Sequence, residues 1–394
     1  MLPRFRLVPG LLLLNLALLA PAARAAGDAA PAPGDVLRTL RAVNGHFMAA
    51  CPDPGLAVTT ITTRPGAAPR ATTRASNLWT RGVYYEGLMA LARVDPDSRY
   101  TDYAVAWAKS HAWGLIGGVA TVSADNQCCG QTYLDLYALD PQPERIRDLQ
   151  ASVAAMVGDA KTDTWWWCDA LQMAMPVFAR LGVMNHDPRY FEKLHALYED
   201  TKTRQGGHGL YNSAEHLWWR DKSFVAPYQE PNGRNSYWAR GNGWVLAALT
   251  RVLEVLPPDA PHRDEYTRDF QDMAAAILPL QRADGYWNVS LLDPGHFGGK
   301  EVTGTSLFVY GFASGVRLGL LPAKDYQPAV FRAWNAMAAE AVHPDGYLGY
   351  VQGTGKQPSD SQPVGYDHKP DFEDFGVGCF LLGGSEVWKL AGGR

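Results

Sequence analysis

The chain has 394 residues, of which 47% are hydrophobic and 19% charged. This composition excludes a disordered, collagen-like or coiled-coil protein and predicts a globular protein with a large core. Its 36 basic and 40 acidic residues give a net charge of −4, so the chain has no cationic excess to neutralise the phosphates of a nucleic acid. Nucleic acid is therefore not an expected partner.

The first 25 residues have the pattern of a secretory signal peptide. Arg4 and Arg6 precede an apolar run over residues 7–20, and residues 23–25 supply the small side chains of a cleavage site. Cleavage near Ala25 would remove three arginines and no acid, which changes the net charge from −4 to −7. No later segment reaches the roughly 18 apolar residues of a membrane span. We expect an exported protein, periplasmic or secreted, with no membrane span after processing.

The rest of the chain is dominated by helical spacing of apolar residues. Residues 26–34 are rich in Ala, Pro and Gly and predict a linker, after which helix, turn and helix recur with Asp-Pro turns in equivalent places. The predicted pairs are residues 79–92 with 103–108, 125–139 with 146–157, 165–181 with 190–201, 238–256 with 266–281, and 302–318 with 326–341. A last helix at 372–390 would pair with the N-terminal one and complete six hairpins. Because no hairpin can bury its apolar face alone, we predict an all-α (α/α)6 toroid as a single domain over residues 35–394.

Strand-like alternation is confined to residues 57–62 and 217–225, which we interpret as hairpins within loops. The polar residues of interest lie instead at the starts of the helical hairpins. In a ring of hairpins these starts converge at one rim on a central cavity. Unpaired acids placed there favour a functional site, because buried charges cost several kcal/mol unless they are compensated.

Asp169 follows three consecutive tryptophans and precedes an apolar helix. An aromatic enclosure disfavours the carboxylate and raises its pKa, which predicts a general acid. The structural alternative is an acid that caps the helix N-terminus. Asp125 opens the preceding hairpin and could face Asp169 across the cavity, with the same capping alternative. Two coupled carboxylates have separated pKa values and suit glycosidic bond chemistry.

Residues 238–244 combine two tryptophans, an arginine and two glycines at a helix entry. The guanidinium of Arg240 could bind a carboxylate or a sugar, or it could pair with an acid of the core. Flat aromatic rings suit the apolar faces of sugars, so the candidate substrate-binding residues include Trp167, Trp238 and Trp244. Arg220 is a further candidate, although the adjacent Asp221 favours a structural ion pair.

Motifs for other chemistries are missing from the sequence. We find no nucleophile elbow, zinc-protease helix, Walker loop or dinucleotide fingerprint in a usable context. The five cysteines form no CxxC pair and no pattern with histidine, so a structural zinc site is not expected. We interpret them as small buried apolar residues and expect neither a metal nor a cofactor.

Four segments of the chain resemble the unsaturated glucuronyl and rhamnogalacturonyl hydrolases of glycoside hydrolase families 88 and 105. They are residues 84–88, 125–137, 167–169 and, as the most specific, 238–244. The resemblance extends over most of the chain from about residue 75 to 390 and agrees with the predicted toroid.

The resemblance also implies roles for particular residues. Asp169, the acid of the Trp-x-Asp motif, would be the catalytic acid/base, and Asp125 would assist it. Arg240 and Trp244 would line the sugar site. Arg220 stands where some relatives have a site histidine, a departure that leaves the substrate subclass open.

The implied substrate is an acidic oligosaccharide that a polysaccharide lyase has left with a 4,5-unsaturated uronic acid at its non-reducing end, most simply of rhamnogalacturonan or pectin type. Asp169 would protonate C4, water would add at C5, and the resulting hemiketal would open and expel the remaining sugar, without a metal. The alternatives are another toroid glycosidase, a sugar epimerase, or a carbohydrate-binding relative that has lost the chemistry.

Overall fold

The structure is a computed structural model that describes residues 27–62, 70–372 and 374–393. Its helices are α1 (Pro33–Ala50), α2 (Trp79–Val94), α3 (Ser98–Ser110), α4 (Ala124–Gln127), α5 (Cys129–Leu139), α6 (Arg147–Gly158), α7 (Ala170–Asn185), α8 (Arg189–Thr203), α9 (Ala239–Val255), α10 (Arg263–Ile277), α11 (Val302–Arg317), α12 (Ala323–Glu340) and α13 (Asp374–Leu390). Its strands are β1 (Val58–Thr62), β2 (Arg70–Arg74), β3 (Tyr211–Asn212) and β4 (Leu217–Trp218).

The helices form two concentric rings. In the inner ring α2, α5, α7, α9 and α11 each pack against the next, and α13 contacts both α11 and α2, which closes the ring. Outside it, α3, α8, α10, α12 and α1 pack against α2, α7, α9, α11 and α13, while α6 lies beside α8. This arrangement confirms the predicted all-α (α/α)6 toroid.

The sequence of each helix reflects the ring to which it belongs. The inner helices α11 and α13 are buried around their whole circumference over residues 302–315 and 374–387. The outer helices α8 and α10 bury one face and expose charged residues on the other. The apolar, glycine-rich sequences of the inner helices therefore follow from their enclosure on every side.

Glycines let α2 and α13 approach closely where the ring closes. A Cβ atom at Gly87 would lie 2.4 Å from the carbonyl oxygen of Gly378, and one at Gly378 would lie 2.2 Å from that of Val83. Both distances are shorter than any van der Waals contact, so a side chain at either position would force the helices apart. The seam also holds a buried ion pair between Arg81 and Asp374.

One predicted helix begins later than its apolar pattern indicated. We expected a helix over residues 165–181, but α7 starts at Ala170. Trp167 forms an antiparallel bridge with Asp221, and Cys168 and Asp169 then turn the chain into the helix. The bridge holds the end of the tryptophan run across the rim instead of inside a helix.

The two regions of strand-like alternation do form hairpins. β1 pairs with β2 in antiparallel register, and β3 pairs with β4. The second hairpin is shorter than predicted, because the Ser223 amide bonds the Asp221 side chain at 2.8 Å and turns the chain away after β4.

The predicted signal peptide lies outside the described residues. Residues 27–32 lie against α12, where the Asn335 amide donates to the carbonyls of Gly27 and Ala29. Within the described ranges, no helix is both long and apolar enough to span a membrane. Cys128, Cys129, Cys168 and Cys379 are buried free thiols, and Cys51 is partly buried.

Candidate active site

A cavity with about 310 Å³ of empty space lies at the rim where the inner helices begin. The seven residues predicted for the site all line it: Asp125, Trp167, Asp169, Arg220, Trp238, Arg240 and Trp244. Trp79, Met173 and Gly355 complete the lining. The side chains reach this point from the first turns of α2, α4, α7 and α9, from the tryptophan run, and from two loops.

Asp169 occupies the residue before α7, yet its side chain does not cap the helix. Its Oδ2 instead accepts a hydrogen bond from Nε of Arg220 at 3.0 Å. The structure therefore excludes the capping alternative for Asp169 and aims its carboxylate into the cavity beside a cation.

Arg220 joins two carboxylates. While Nε contacts Asp169, Nη1 donates to Oδ2 of Asp221 at 2.7 Å. Asp221 is itself fixed by the Ser223 amide, so the guanidinium has a defined orientation. Burial alone would lower the pKa of Arg220, but the neighbouring negative charges outweigh it and raise the pKa. Arg220 thus forms the structural ion pair with Asp221 that the sequence indicated. It also fixes the carboxylate of Asp169.

Asp125 lies in the first turn of α4, one residue after the helix begins. Within the described part of the chain, no hydrogen bond or ion pair reaches its carboxylate. Burial, and then the negative charge of Asp169, raise the pKa of Asp125 to about 7, against the opposing charges of Arg220 and Arg74. Asp125 is therefore about half protonated at neutral pH. The two acids differ in their contacts, because Asp169 has the guanidinium of Arg220 as a partner and Asp125 has no cation in contact among the described residues.

Arg240 is almost completely buried, with 1% of its surface exposed. Its guanidinium donates to the carbonyls of Gln352 and Gly353, at 2.7 Å each, and to the Thr303 hydroxyl at 3.3 Å. It also stacks on Trp238, whose ring centroid is 4.4 Å away. The guanidinium partners are backbone carbonyls and not the core acid that we considered from the sequence. The contacts make Arg240 a support for the loop that carries Gly355 to the cavity.

The walls of the cavity are aromatic. Trp79 and Trp244 meet edge to face with centroids 6.5 Å apart, and Trp238 donates its indole N–H to Gln352 at 3.0 Å. Trp79 was not among the predicted site residues, although its position at a hairpin start is the same signal that identified the others. Gly355 was not predicted either, because nothing in the spacing of its segment indicates a cavity wall.

Comparison with known proteins gives the family. The model for Glycosyl Hydrolase Family 88 matches residues 44–391. The unsaturated 3S-rhamnoglycuronyl hydrolase of Formosa agariphila is 34% identical over 332 residues, which cover 79% of this chain and 84% of that protein. A protein of the same name from Alteromonas sp. is 29% identical over 81% of this chain and 79% of its own.

A solved structure agrees with the sequence matches. The glycosyl hydrolase family 88 protein from Bacteroides vulgatus aligns with a TM-score of 0.80 at 31% identity, over 91% of this chain and 100% of that chain. The residues matched by the family model, 44–391, include every helix that contributes to the cavity. The resemblance of the four motifs is confirmed, and the chain is a glycoside hydrolase that belongs to glycosyl hydrolase family 88.

Proposed function

We propose that this enzyme removes a 4,5-unsaturated uronic acid from the non-reducing end of lyase-generated oligosaccharides. The observation that carries the proposal is the pair of Asp125 and Asp169 in one aromatic-walled cavity, with the pKa of Asp125 raised to about 7. Hydration of a vinyl ether needs a proton donor near neutral pH and then a base for water. Asp125, whose pKa is near 7, can store the proton, and Asp169 can pass it to the substrate and then act as the base. Membership of family 88 supports the same reaction.

We further propose rhamnose as the sugar next to the uronic acid. Two relatives are named unsaturated 3S-rhamnoglycuronyl hydrolases, and rhamnose is also a component of the rhamnogalacturonan expected from the sequence. The tryptophan walls favour a sugar ring, and the cationic side chains around the cavity favour an acidic one.

In the proposed reaction the pair works as a unit. Asp125 stores the proton in the free enzyme, and Asp169 delivers it to C4 of the substrate. The π electrons of the C4=C5 bond form the new C4–H bond and leave a cation at C5. Water adds there and gives its proton to the carboxylate of Asp169. The hemiketal then opens to a ketone at C5 and a hemiacetal at C1, and the hemiacetal collapses to an aldehyde as the remaining sugar leaves as an alcohol. One water is consumed and the pair regains its proton.

Arg220 and Arg240 would act as positioning residues. Arg220 holds the carboxylate of Asp169 at 3.0 Å and so fixes its orientation towards the cavity. Arg240 fixes the backbone of residues 352 and 353 at the cavity rim. The rings of Trp167, Trp238 and Trp244 would pack against the apolar faces of the sugar.

The experiment that tests this function follows the ultraviolet absorbance of unsaturated disaccharides, which hydration of the double bond removes. The panel compares rhamnose with other sugars next to the uronic acid. We expect decay with the wild type, fastest on the rhamnose compounds, and a loss of about 10²- to 10⁴-fold in Asp169→Asn and Asp125→Asn. Asp102→Asn, an exposed acid on α3, is the matched control and should retain full activity.

The outcomes separate the alternatives. Decay that persists in Asp169→Asn would leave the reaction in place and reject the assigned acid. A folded wild type that removes the absorbance of no substrate would favour another toroid glycosidase or a carbohydrate-binding role.

Export of the enzyme is part of the same proposal. The pattern of residues 1–25 supports a signal peptide, followed by a linker at 26–34 and a single catalytic domain at 35–394. Cell fractionation and sequencing of the mature N-terminus test it. We expect a periplasmic or secreted protein that starts near residue 26, and an intact N-terminus in the cytoplasm would reject it.

A further inference from the structure

Away from the cavity, the outer ring brings together side chains with the chemistry of a metal site. His195, His262 and Glu265 each offer one ligand atom, and these atoms lie within 4.8 Å of one another. All three side chains are partly buried. Imidazole nitrogens and carboxylate oxygens are among the ligands that hold zinc in proteins.

The helices α8 and α10, from two adjacent hairpins, supply these side chains. His195 lies in α8, and Glu192 lies one turn before it on the same side of the helix. His262 is the residue before α10, and Glu265 lies in the first turn of that helix. Because 70 residues separate Glu192 from His262, no local spacing in the sequence indicated a metal site.

The two imidazole rings lie face to face. Their centroids are 3.5 Å apart and their planes are within 5° of parallel. Each ring also has a carboxylate beside it. Nε2 of His195 lies 3.8 Å from Oε2 of Glu265, and Nε2 of His262 lies 3.2 Å from Oε2 of Glu192. Two nitrogen and two oxygen atoms are thus grouped between the helices.

The electrostatic environment of the rings favours a bound cation. Burial, and then the charge of His262, lower the pKa of His195, so its ring is neutral at neutral pH and has a lone pair for a metal. Nδ1 of His195 is buried and has no hydrogen-bond partner, which calls for an explanation. The negative charges of Glu265, Glu199 and Glu192 all act on this ring. A divalent cation would offset this excess of negative charge.

Two features of the group have to be reconciled with a metal. An imidazole binds a metal in the plane of its ring, so one of the two stacked rings must tilt. His262 has room to do so, because it precedes the helix and 28% of its side chain is exposed. Lys202 contacts Glu265, but it does so through Oε1 at 2.7 Å. Oε2 therefore remains for the metal, and the lysine orients the carboxylate as outer partners orient metal ligands.

We propose that His195, His262 and Glu265 bind a zinc ion. The exposed carboxylate of Glu192 would be the fourth ligand and complete a tetrahedral set, which is typical of a structural site. The residues that line the cavity include none of these four, so the ion would join two outer helices and the inference does not depend on the proposed function. Mg²⁺ and Ca²⁺ are not expected there, because both prefer sites built of oxygen ligands.

The test measures zinc binding by untagged protein that a chelator has stripped of metal. Calorimetry and melting curves with zinc chloride compare the wild type with His195→Gln and His262→Asn. Asparagine is chosen because it tolerates the left-handed backbone of residue 262, where φ is 64°. His208→Gln is the matched control, since His208 is exposed and lies outside the group.

We expect the wild type and the control to bind one equivalent of zinc and to melt at a higher temperature when zinc is present. His195→Gln and His262→Asn should each weaken this binding about 100-fold and remove most of the rise in melting temperature. Magnesium and calcium chloride at the same concentrations should produce no comparable rise in any of the proteins.

Three results would overturn the proposal. They are a folded wild type that binds no equivalent of zinc, an equal zinc affinity in the wild type and both histidine variants, and a stronger response to magnesium or calcium than to zinc. Because no substrate is present in these measurements, a failure of the proposed reaction would not affect them.

Discussion

Asp125 and Asp135 lie ten residues apart, in α4 and α5, and the pKa values of their buried carboxylates are shifted in opposite directions. Oδ1 of Asp135 contacts both Arg93 and Arg180 at 2.7 Å. Burial alone would raise its pKa, but the charges of Arg180, Arg93 and Arg251 outweigh it and lower the pKa. Asp125 has a negative neighbour and no contacting cation, and its pKa is raised to about 7.

The cavities around these acids differ in the same way. The one next to Asp135, at the far rim of the toroid, has about 740 Å³ of empty space and is larger than the cavity at Asp125. Arg93, Arg180 and Arg251 line it, but each of them pairs with an acid. The comparison teaches that neither burial of the carboxylate nor the size of the adjacent cavity distinguishes the two acids. They differ in whether a cation contacts the carboxylate.

The largest expected effect separates the two acids by activity. Asp125→Asn should lower kcat/KM by about 10²- to 10⁴-fold, because the pair loses its stored proton. Asp135→Asn should change kcat/KM of the folded fraction by less than about threefold, since it lies at the far rim. Steady-state kinetics on an unsaturated disaccharide checks both, and equal losses would contradict the division of roles.

Stability should respond in the reverse order. Asp135→Asn leaves the largely buried guanidinium of Arg180 and the half-exposed one of Arg93 without their carboxylate. It should lower the free energy of unfolding by about 3–5 kcal/mol. Urea unfolding at neutral pH measures it. Asp102→Asn serves as the control for an exposed acid, and a change below about 1 kcal/mol at Asp135 would show that its ion pairs are not structural.

Asp125→Asn should instead stabilise the fold at high pH. The unfolded chain releases this proton near pH 4, whereas the folded protein keeps it to about pH 7, so wild-type stability falls as the pH rises through this window. The variant has no such proton to release. We expect it to be more stable by about 1–3 kcal/mol at pH 8 and equal to the wild type below pH 4. Unfolding at both pH values decides the sign.

The smallest expected effect is the pH dependence of the wild type. Activity requires the stored proton, so kcat/KM should fall about tenfold per pH unit above about pH 7. Arg220 opposes the rise in the pKa of Asp125, so Arg220→Gln should move this alkaline limb to higher pH while lowering the rate. A limb that stays in place in Arg220→Gln would contradict the coupling between these groups.

The sequence was sufficient to predict the ring of hairpins and seven of the residues that line the cavity. Helical spacing with Asp-Pro turns predicted the hairpins, and the rule that hairpin starts converge placed Asp125, Asp169, Arg240 and Trp244 in one cavity. Both steps depend on local patterns, which a sequence displays directly.

The partners of these residues could not be predicted, because they come from distant segments. Arg220 reaches Asp169 across 51 residues, so the local sequence does not indicate which of the two acids contacts a cation. Arg240 bonds backbone carbonyls 112 and 113 residues away, which no side-chain motif can indicate.

The glycine seam between α2 and α13 also bears on how the protein is made. The Arg81–Asp374 pair at the seam joins residues 293 positions apart, so the first and last inner helices cannot meet until nearly the whole chain has left the ribosome. Contacts this distant in sequence form late. Closure of the inner ring would therefore be among the last steps in the assembly of the enzyme.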